Sequence, residues 1–192
     1  MPMKNALSLS HDHLDQLIER FPSGVFIDGT LGNGHDSHYI LSHHQFKGLV
    51  VGFDIQEEAI IQSKQRLESF ASHQYLLFHA SHDLLDQKLD KDKFPFIHGA
   101  IFNLGYLPGG NHQITTHYDS TYRAIQQIAT RLVPKGQIIL VIYSGHRQGA
   151  DEKHFLLDQL STWSQRIFHI AYTDYLNQKN NPPCLIIIEK RK

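Results

Sequence analysis

Three stretches of the sequence carry side chains that could bind a ligand or aim a reacting group. The first, DGTLGNGHDS, places two glycines after Asp28, and the second, FDI, carries Asp54 at the end of an apolar run. The third, FNLGYLPGG, places Asn103 at the end of another apolar run. A buried amide is costly unless it finds hydrogen-bond partners. Asn103 therefore predicts either a functional contact or a structural turn.

The glycine loop has the features of a site for a nucleoside cofactor. Gly32 and Gly34 allow a tight turn and close approach to a ligand, and a helix N-terminus with unpaired N–H groups follows. A carboxylate at the end of the second strand can accept both hydroxyls of a ribose. The residues predicted to contact the cofactor in this region are Asp28, Thr30, Gly32, Asn33, Gly34, Asp36, Asp54, Ile55 and Gln56.

Three interpretations of this loop remain open. It could be a plain turn, or a G-x-G-x-x-G site for NAD in which small Ser37 takes the sixth position. An S-adenosylmethionine site has an acidic residue ending the first strand, then glycines, then an acidic residue ending the second. The chain fits that order, with Thr30 where a further glycine is usual.

The stretch HASHDLL follows the third predicted strand. Its loop lies beside the tip of the second strand in a doubly wound sheet, so Ser81 and His82 could meet an adenine edge. Ser81 could equally cap a following helix. The two roles are compatible.

The Asn103 stretch is suited to orienting an amine. Its outline is similar to the Asn/Asp-Pro-Pro-Tyr/Phe stretch of many amino-methyltransferases. The Asn103 oxygen and the Leu104 carbonyl could accept N–H groups of a neutral amine and aim its lone pair, and Tyr106 could stack on a ring. Asn103 and Gly105 are also predicted to border the cofactor. The alternative is a structural turn before Pro108.

The elements that would position these residues alternate between strands and helices, which predicts an α/β fold with a doubly wound, seven-stranded, mostly parallel sheet. A C-terminal antiparallel hairpin is expected, because its strands are joined by a short polar turn. The ligand should lie at the carboxyl ends of the strands. The predicted strands are 24–29, 48–55, 75–80, 96–102, 137–143, 166–176 and 184–192; the predicted helices are 10–20 (capped by Ser10), 35–44, 56–70, 120–133 and 150–163.

Length and composition favour one domain over residues 1–192, with 41% hydrophobic residues and a net charge of −1. The charge argues against a broad nucleic-acid-binding face but leaves a local basic patch open. No apolar run approaches the ~20 residues of a membrane span, and no secretory signal is evident. The single Cys184 suits a reducing cytoplasm, so a cytoplasmic location is expected. The 15 histidines lack partners at ligand spacing, so no metal site is expected.

The stretch YSGHRQGADE should reach the same sheet edge after the fifth strand. Tyr143 and His146 could flank a base extruded from single-stranded RNA. Phosphates could be contacted by Arg147, Arg123 and Lys153. The alternative for His146 is a capped, solvated turn.

Together, IDGTLGNGHDS, FDIQEEA, FNLGYLPGG, IYSGHRQGADE and the terminal NPP-strand resemble the family long labelled putative rRNA methylases, which includes MnmM-type tRNA methyltransferases. The resemblance implies a Rossmann-like class I methyltransferase fold and S-adenosylmethionine as cofactor. It implies methyl transfer to the exocyclic amine of 5-aminomethyl-(2-thio)uridine at the wobble position, with the tRNA anticodon loop as partner. Family members usually carry Ala at Gly29 and Thr at Ser37.

Other functions remain to be weighed against this one. Methylation of rRNA or of a small amine would use the same chemistry. A cofactor-binding RNA module without catalysis would not need Asn103 and Tyr106, and an NAD oxidoreductase gives no reason for the NLGY stretch.

Overall fold

The computed structural model describes residues 3–105 and 118–192. Strands and helices alternate through these residues, as the hydrophobic pattern predicts. The strands are β1 (Val25–Asp28), β2 (Leu49–Asp54), β3 (Tyr75–His79), β4 (Ile97–Leu104), β5 (Leu132–Ile142), β6 (Phe168–Thr173) and β7 (Cys184–Lys190). The helices are α1 (Ala6–Arg20), α2 (His35–Ser42), α3 (Glu57–Arg66), α4 (Leu85–Lys88), α5 (Tyr118–Arg131) and α6 (Arg147–Ser161), with a 3₁₀ turn at His82–Leu84 before α4.

All seven strands form one sheet in the order β3-β2-β1-β4-β5-β7-β6. The first five strands are parallel to one another, and β7 is antiparallel to both of its neighbours, β5 and β6. The predicted doubly wound sheet with a C-terminal hairpin is confirmed. The insertion of β7 between β5 and β6 was not predicted, because the hydrophobic pattern of a strand does not specify its neighbours.

Alternate residues of the central strands pack into two apolar layers, one on each face of the sheet. Phe26 and Val50 belong to the layer covered by α1 and α2, whereas Ile27 and Val51 belong to the layer covered by α5 and α6. Burial on both faces explains why the parallel strands are almost continuously apolar. The polar residues that remain at their carboxyl ends are therefore exceptional.

Helix α1 begins before the predicted position. Its N-cap is Asn5, whose side chain accepts a hydrogen bond from the Ser8 N–H at 2.8 Å. Ser10, the predicted cap, lies buried inside the helix and donates to the Leu7 carbonyl at 2.8 Å. The prediction was wrong because Asn5 is an equally good cap one and a half turns earlier.

Two boundaries near the predicted site also differ from the sequence-based assignment. Strand β4 continues through Asn103 and Leu104, which lie opposite Val141 and Ile142 of β5. The turn predicted to begin at Asn103 is therefore wrong for Asn103 and Leu104, which belong to the strand. Helix α6 begins at Arg147, three residues before the predicted start at 150.

Candidate active site

The carboxyl ends of four neighbouring strands meet at one edge of the sheet. β1 and β2 end in Asp28 and Asp54, β4 ends in Asn103-Leu104, and β5 is followed directly by Tyr143. The strand order places these ends side by side, with β1 between β2 and β4. The structure thus brings together the tips of the strands that the sequence predicts to form the site.

The loop between β1 and α2 has a backbone that favours glycine at two positions. Gly32 and Gly34 have φ values of 49° and 75°, in the left-handed region. A Cβ atom on Gly34 would lie 2.8 Å from the Ser63 hydroxyl oxygen, so the loop also packs tightly on α3. Ser63 donates to the Gly32 carbonyl at 2.9 Å, and Arg66 donates to the Asn33 carbonyl at 2.6 Å. These contacts hold the loop in a fixed shape.

Asp54 is bonded to the backbone on both sides of its position. One carboxylate oxygen accepts the Gly32 N–H at 2.8 Å, and the other accepts the Gln56 N–H at 2.9 Å. Each oxygen keeps further acceptor capacity, so these bonds are compatible with the predicted ribose contact. Ile55, beside it, is 45% exposed and offers an apolar surface to a base.

Asp28 lies beneath the loop rather than on its surface. One oxygen accepts the Ser37 hydroxyl at 2.7 Å, and the other is buried with no hydrogen-bond partner among the described residues. Burial, together with the negative charge of Asp36, raises the pKa of Asp28 from 3.8 to about 7. A cofactor contact would have to reach that buried oxygen, so the direct contact predicted for Asp28 stays a prediction.

His82 is also an internal support. It is 7% exposed, its Nδ1 lies 2.8 Å from the Gly29 carbonyl, and its ring meets the edge of Phe102. Burial lowers the pKa of His82, which favours the neutral ring. Ser81 is the N-cap residue of the 3₁₀ turn, but its side chain makes no capping hydrogen bond. The adenine contact predicted for Ser81 and His82 stays a prediction.

Asn103 is held by two hydrogen bonds that leave one atom unused. Its backbone N–H donates to the Thr30 hydroxyl at 2.7 Å, and its side-chain Nδ2 donates to the Asp36 carboxylate. A carboxylate can only accept, so the amide must turn its oxygen away from Asp36. That oxygen is buried and has no partner among the described residues. An unpaired buried acceptor costs about 1–3 kcal/mol, which a donor on a ligand would offset.

Leu104 is paired with the neighbouring strand rather than placed in a turn. Its carbonyl accepts the Tyr143 N–H at 2.9 Å, which extends the β4–β5 ladder by one bond, and its side chain is fully buried. The carbonyl was expected to point into the site from a turn, but Leu104 is the last residue of β4, and its contact with a substrate amine stays a prediction. Gly105 packs closely, since a Cβ there would lie 3.3 Å from the Tyr143 Cβ. Tyr106, the third predicted catalytic residue, lies outside the described residues.

Tyr143 and His146 follow β5 at the same edge of the sheet. Tyr143 is 39% exposed, and burial together with the Asp36 charge raises its pKa. His146 caps α6, with its Nδ1 accepting the Gly149 N–H at 3.1 Å. This is the capping role that was the alternative for His146. Arg147 is the exposed first residue of α6.

The other predicted phosphate contacts are engaged in ion pairs. Arg123 donates to Asp83 at 2.7 and 3.1 Å, and Lys153 donates to Asp174 at 2.8 Å. Exposed pairs of this kind contribute little free energy, so a phosphate could compete for Arg123. Sequence reasoning missed both carboxylate partners because neither is close to its cation in the chain.

Among the described residues, no group of three or more histidine, cysteine or acidic side chains could hold a metal ion. No helix in the same part of the chain is long and apolar enough to cross a membrane.

Comparison with known proteins bears on this site. A family model described as "Putative rRNA methylase" matches residues 50–189. The chain belongs to this family. The chloroplastic tRNA (mnm(5)s(2)U34)-methyltransferase of Arabidopsis thaliana is 32% identical to this chain over 158 residues, or 78% of this chain and 56% of that protein. A ribosomal RNA small subunit methyltransferase H of Dictyoglomus turgidum is 33% identical over 85 residues, or 44% of this chain and 28% of the relative. The chain thus matches only about half or less of these relatives' length.

Solved structures agree with the rRNA methylase family over the whole fold. A "putative rRNA-methylase" from Clostridium thermocellum is 35% identical, with a TM-score of 0.89 over 99% of this chain and 100% of that one. A "putative methyltransferase" from Streptococcus mutans, solved in complex with SAH, is 33% identical, with a TM-score of 0.85 over 98% and 99% of the two chains. The expected class I methyltransferase fold is confirmed.

In this rRNA methylase family member, one residue of the site was missed by sequence reasoning. His11 of α1 places its Nε2 2.9 Å from the Asp36 carboxylate, and its ring stacks on Tyr39 with centroids 4.0 Å apart. Asp36 thus bonds His11 on one oxygen and Asn103 on the other. No local motif marks His11, since its partner is 25 residues away in sequence.

Proposed function

We propose that the protein is an S-adenosylmethionine-dependent RNA methyltransferase, and that its target is the exocyclic amine of 5-aminomethyl-(2-thio)uridine at the tRNA wobble position. The observation that carries the proposal is the Asn103 oxygen, buried and unpartnered among the described residues, beside the glycine loop. The relatives named as tRNA and ribosomal RNA methyltransferases support an RNA substrate. The tRNA relative, which matches most of this chain, supports the wobble uridine.

The residues at the sheet edge fit the proposed cofactor. Gly32 and Gly34 leave the loop without side chains where a ligand would approach, and the Asp54 carboxylate retains acceptor capacity for ribose hydroxyls. Ile55 provides an exposed apolar surface next to that carboxylate. Bound there, S-adenosylmethionine would supply an electrophilic methyl group.

The protein's own contribution is to select and aim the amine. An amine attacks only when it is neutral, and its lone pair must point at the methyl carbon. Asn103 can accept an N–H of that amine, which directs the lone pair away from the amide and toward the cofactor. The Thr30 and Asp36 bonds fix Asn103, so this alignment needs no reorganisation during the reaction. Tyr143, partly exposed at the same edge, offers an aromatic surface for the uracil ring.

The experiment that tests this function compares two tRNAs. One carries 5-aminomethyluridine at the wobble position, and the other carries unmodified uridine there. Only the first should accept a methyl group from S-adenosylmethionine, detected by nucleoside mass spectrometry. Binding of the tRNA should weaken as salt rises, because phosphates contribute to it. Methylation of both tRNAs, or of ribosomal RNA alone, would overturn the wobble-amine assignment.

Variants of Asn103 test the role of its oxygen. Asn103→Ala should lower the single-turnover methylation rate by roughly 100-fold, as loss of a preorganised polar group does elsewhere, with little change in the cofactor Kd. Asn103→Asp should also be slow, because it sets a second carboxylate against Asp36. A wild-type rate for Asn103→Ala would show that Asn103 only shapes the end of β4.

The site of action follows from the substrate. A tRNA-modifying enzyme with a single, buried cysteine suits a reducing compartment, and we propose a cytoplasmic location. Immunolocalisation or fractionation of cells expressing the native chain would test it, and enrichment in another compartment would contradict it.

A further inference from the structure

Three polar side chains from three different elements form a continuous chain of hydrogen bonds behind the sheet edge. His11 lies on α1, Asp36 at the start of α2, and Asn103 near the end of β4. His11 Nε2 is 2.9 Å from one Asp36 oxygen, and Asn103 Nδ2 donates to the other. The chain ends at the Asn103 oxygen, which is buried without a partner among the described residues.

We propose that His11 is a positioning residue for methyl transfer: through Asp36, it holds the Asn103 amide with its oxygen directed at the substrate amine. This inference rests on the proposed function. His11 does not touch the substrate in this scheme. It acts by fixing the carboxylate that in turn fixes the amide.

The direction of each hydrogen bond follows from the chemistry of the groups. An ionised Asp36 only accepts, so His11 must present Nε2–H and Asn103 must present its NH₂ group. If Asp36 lost its His11 bond, the carboxylate could rotate about its Cβ–Cγ bond, since that torsion is broad. The Asn103 amide would then have no fixed partner and could turn its oxygen out of position.

The His11 ring is itself held in place. It stacks on Tyr39 at 4.0 Å with an angle of 20° between the rings, and the Tyr39 hydroxyl donates to Asp15 at 2.8 Å. His11 is only partly buried, with 28% of its side chain exposed, whereas the Asp36 side chain is 10% exposed. The stack on Tyr39 and the bond to a nearly buried carboxylate together fix the orientation of the His11 ring.

Asp36 is the centre of this arrangement and affects several neighbours. Its charge raises the pKa of Asp28 and of Tyr143. A carboxylate with so many interactions would adopt other geometries if one partner were removed. His11 and Asn103 are the two described side chains that donate to it.

Two variants separate the hydrogen-bond donor of His11 from its ring. His11→Phe keeps an aromatic ring for the Tyr39 stack but removes the N–H, while His11→Gln can restore a donor to Asp36 without the ring. The matched control is His73→Phe, an exposed histidine just before β3, at the opposite end of that strand from the site. Each variant is assayed for the cofactor Kd and for the single-turnover methylation rate on 5-aminomethyluridine tRNA.

We expect His11→Phe to lower the methylation rate by roughly 10- to 100-fold, since a displacement of about 1 Å can cost about 10² in rate. The cofactor Kd should change by less than about 3-fold, because the bonds that hold the glycine loop come from Ser63 and Arg66 rather than from His11. His11→Gln should recover most of the rate, and His73→Phe should match the wild type. Equal rates for His11→Phe and the wild type would overturn the proposal, as would a loss in His11→Gln as large as that in His11→Phe.

A double variant tests whether His11 works through Asn103. If it does, His11→Phe should cost nothing further once Asn103 is replaced by alanine, because the two residues then act as one unit. If the rate losses of the two single variants multiply in the double variant, His11 acts by a route other than Asn103, and the proposal fails.

The outcome for the proposed function is read separately. If the wild type does not methylate 5-aminomethyluridine, or if Asn103→Ala is as fast as the wild type, the function itself is wrong. If both of those tests succeed and His11→Phe remains fast, only the inference about His11 is wrong.

Discussion

Replacing Asp28 with asparagine should change how the stability of the protein depends on pH. Asp28 is buried, and burial with the nearby Asp36 charge raises its pKa from 3.8 to about 7. Between pH 3.8 and about 7, Asp28 therefore keeps its proton in the folded protein, whereas the unfolded chain has released it. The stabilisation is fully present below pH 3.8, and it is lost as the pH rises through 7.

The size of this effect follows from the shift. Each pKa unit corresponds to about 1.36 kcal/mol, so the whole interval is worth at most about 4 kcal/mol. Between pH 5 and pH 8, across which Asp28 loses its proton in the folded protein, the loss should be about 3 kcal/mol. The asparagine side chain of the Asp28→Asn variant does not titrate, and its amide oxygen can still accept the Ser37 hydroxyl that Asp28 accepts at 2.7 Å.

Urea unfolding of the wild type and Asp28→Asn at pH 5, 6, 7 and 8 measures the difference directly. From pH 5 to pH 8, the free energy of unfolding of the wild type should fall by about 3 kcal/mol relative to that of Asp28→Asn. Glu152, whose pKa burial also raises to about 7, is present in both proteins and cancels. The matched control is Asp92→Asn, which removes one negative charge at an exposed position. Its free energy of unfolding should depend on pH in parallel with that of the wild type. Parallel profiles for Asp28→Asn as well would refute the reasoning.

Two further variants test Asp54, at the end of β2, and Gly29, which packs against Phe102. Asp54→Ala should weaken S-adenosylmethionine binding, since charge-assisted hydrogen bonds contribute on the order of 1.5–3 kcal/mol each; calorimetry would show it, and an unchanged Kd would remove Asp54 from the cofactor site. Gly29→Ala would place a Cβ 2.1 Å from the Phe102 ring, so it should destabilise the fold by about 1–3 kcal/mol in urea unfolding. Phe102→Leu in the same chain should restore part of that loss, and failure to do so would mean that the strain lies elsewhere.

The fold and the position of the site follow from local patterns in the chain. Apolar runs of strand length alternating with amphipathic helices already predict a parallel sheet, and parallel strands bring their carboxyl ends to one edge. Asp28, Asp54 and Asn103 each stand at such an end, so their proximity could be predicted without coordinates. The left-handed backbone at Gly32 and Gly34 is equally local, because only glycine adopts it readily.

The hydrogen-bond partners of the site residues are determined by tertiary contacts. The Leu104 carbonyl is engaged by Tyr143 because β4 runs longer than its apolar pattern, and Arg123 is paired with an aspartate 40 residues away. Asn103 lies 67 residues from Asp36, and His11 lies 25 residues from it on a helix that precedes the sheet. A hydrogen bond needs donor and acceptor within a few tenths of an ångström of one distance. Because these residues lie so far apart in sequence, the packing of α1 and α2 against the sheet determines whether their donor and acceptor atoms reach that distance.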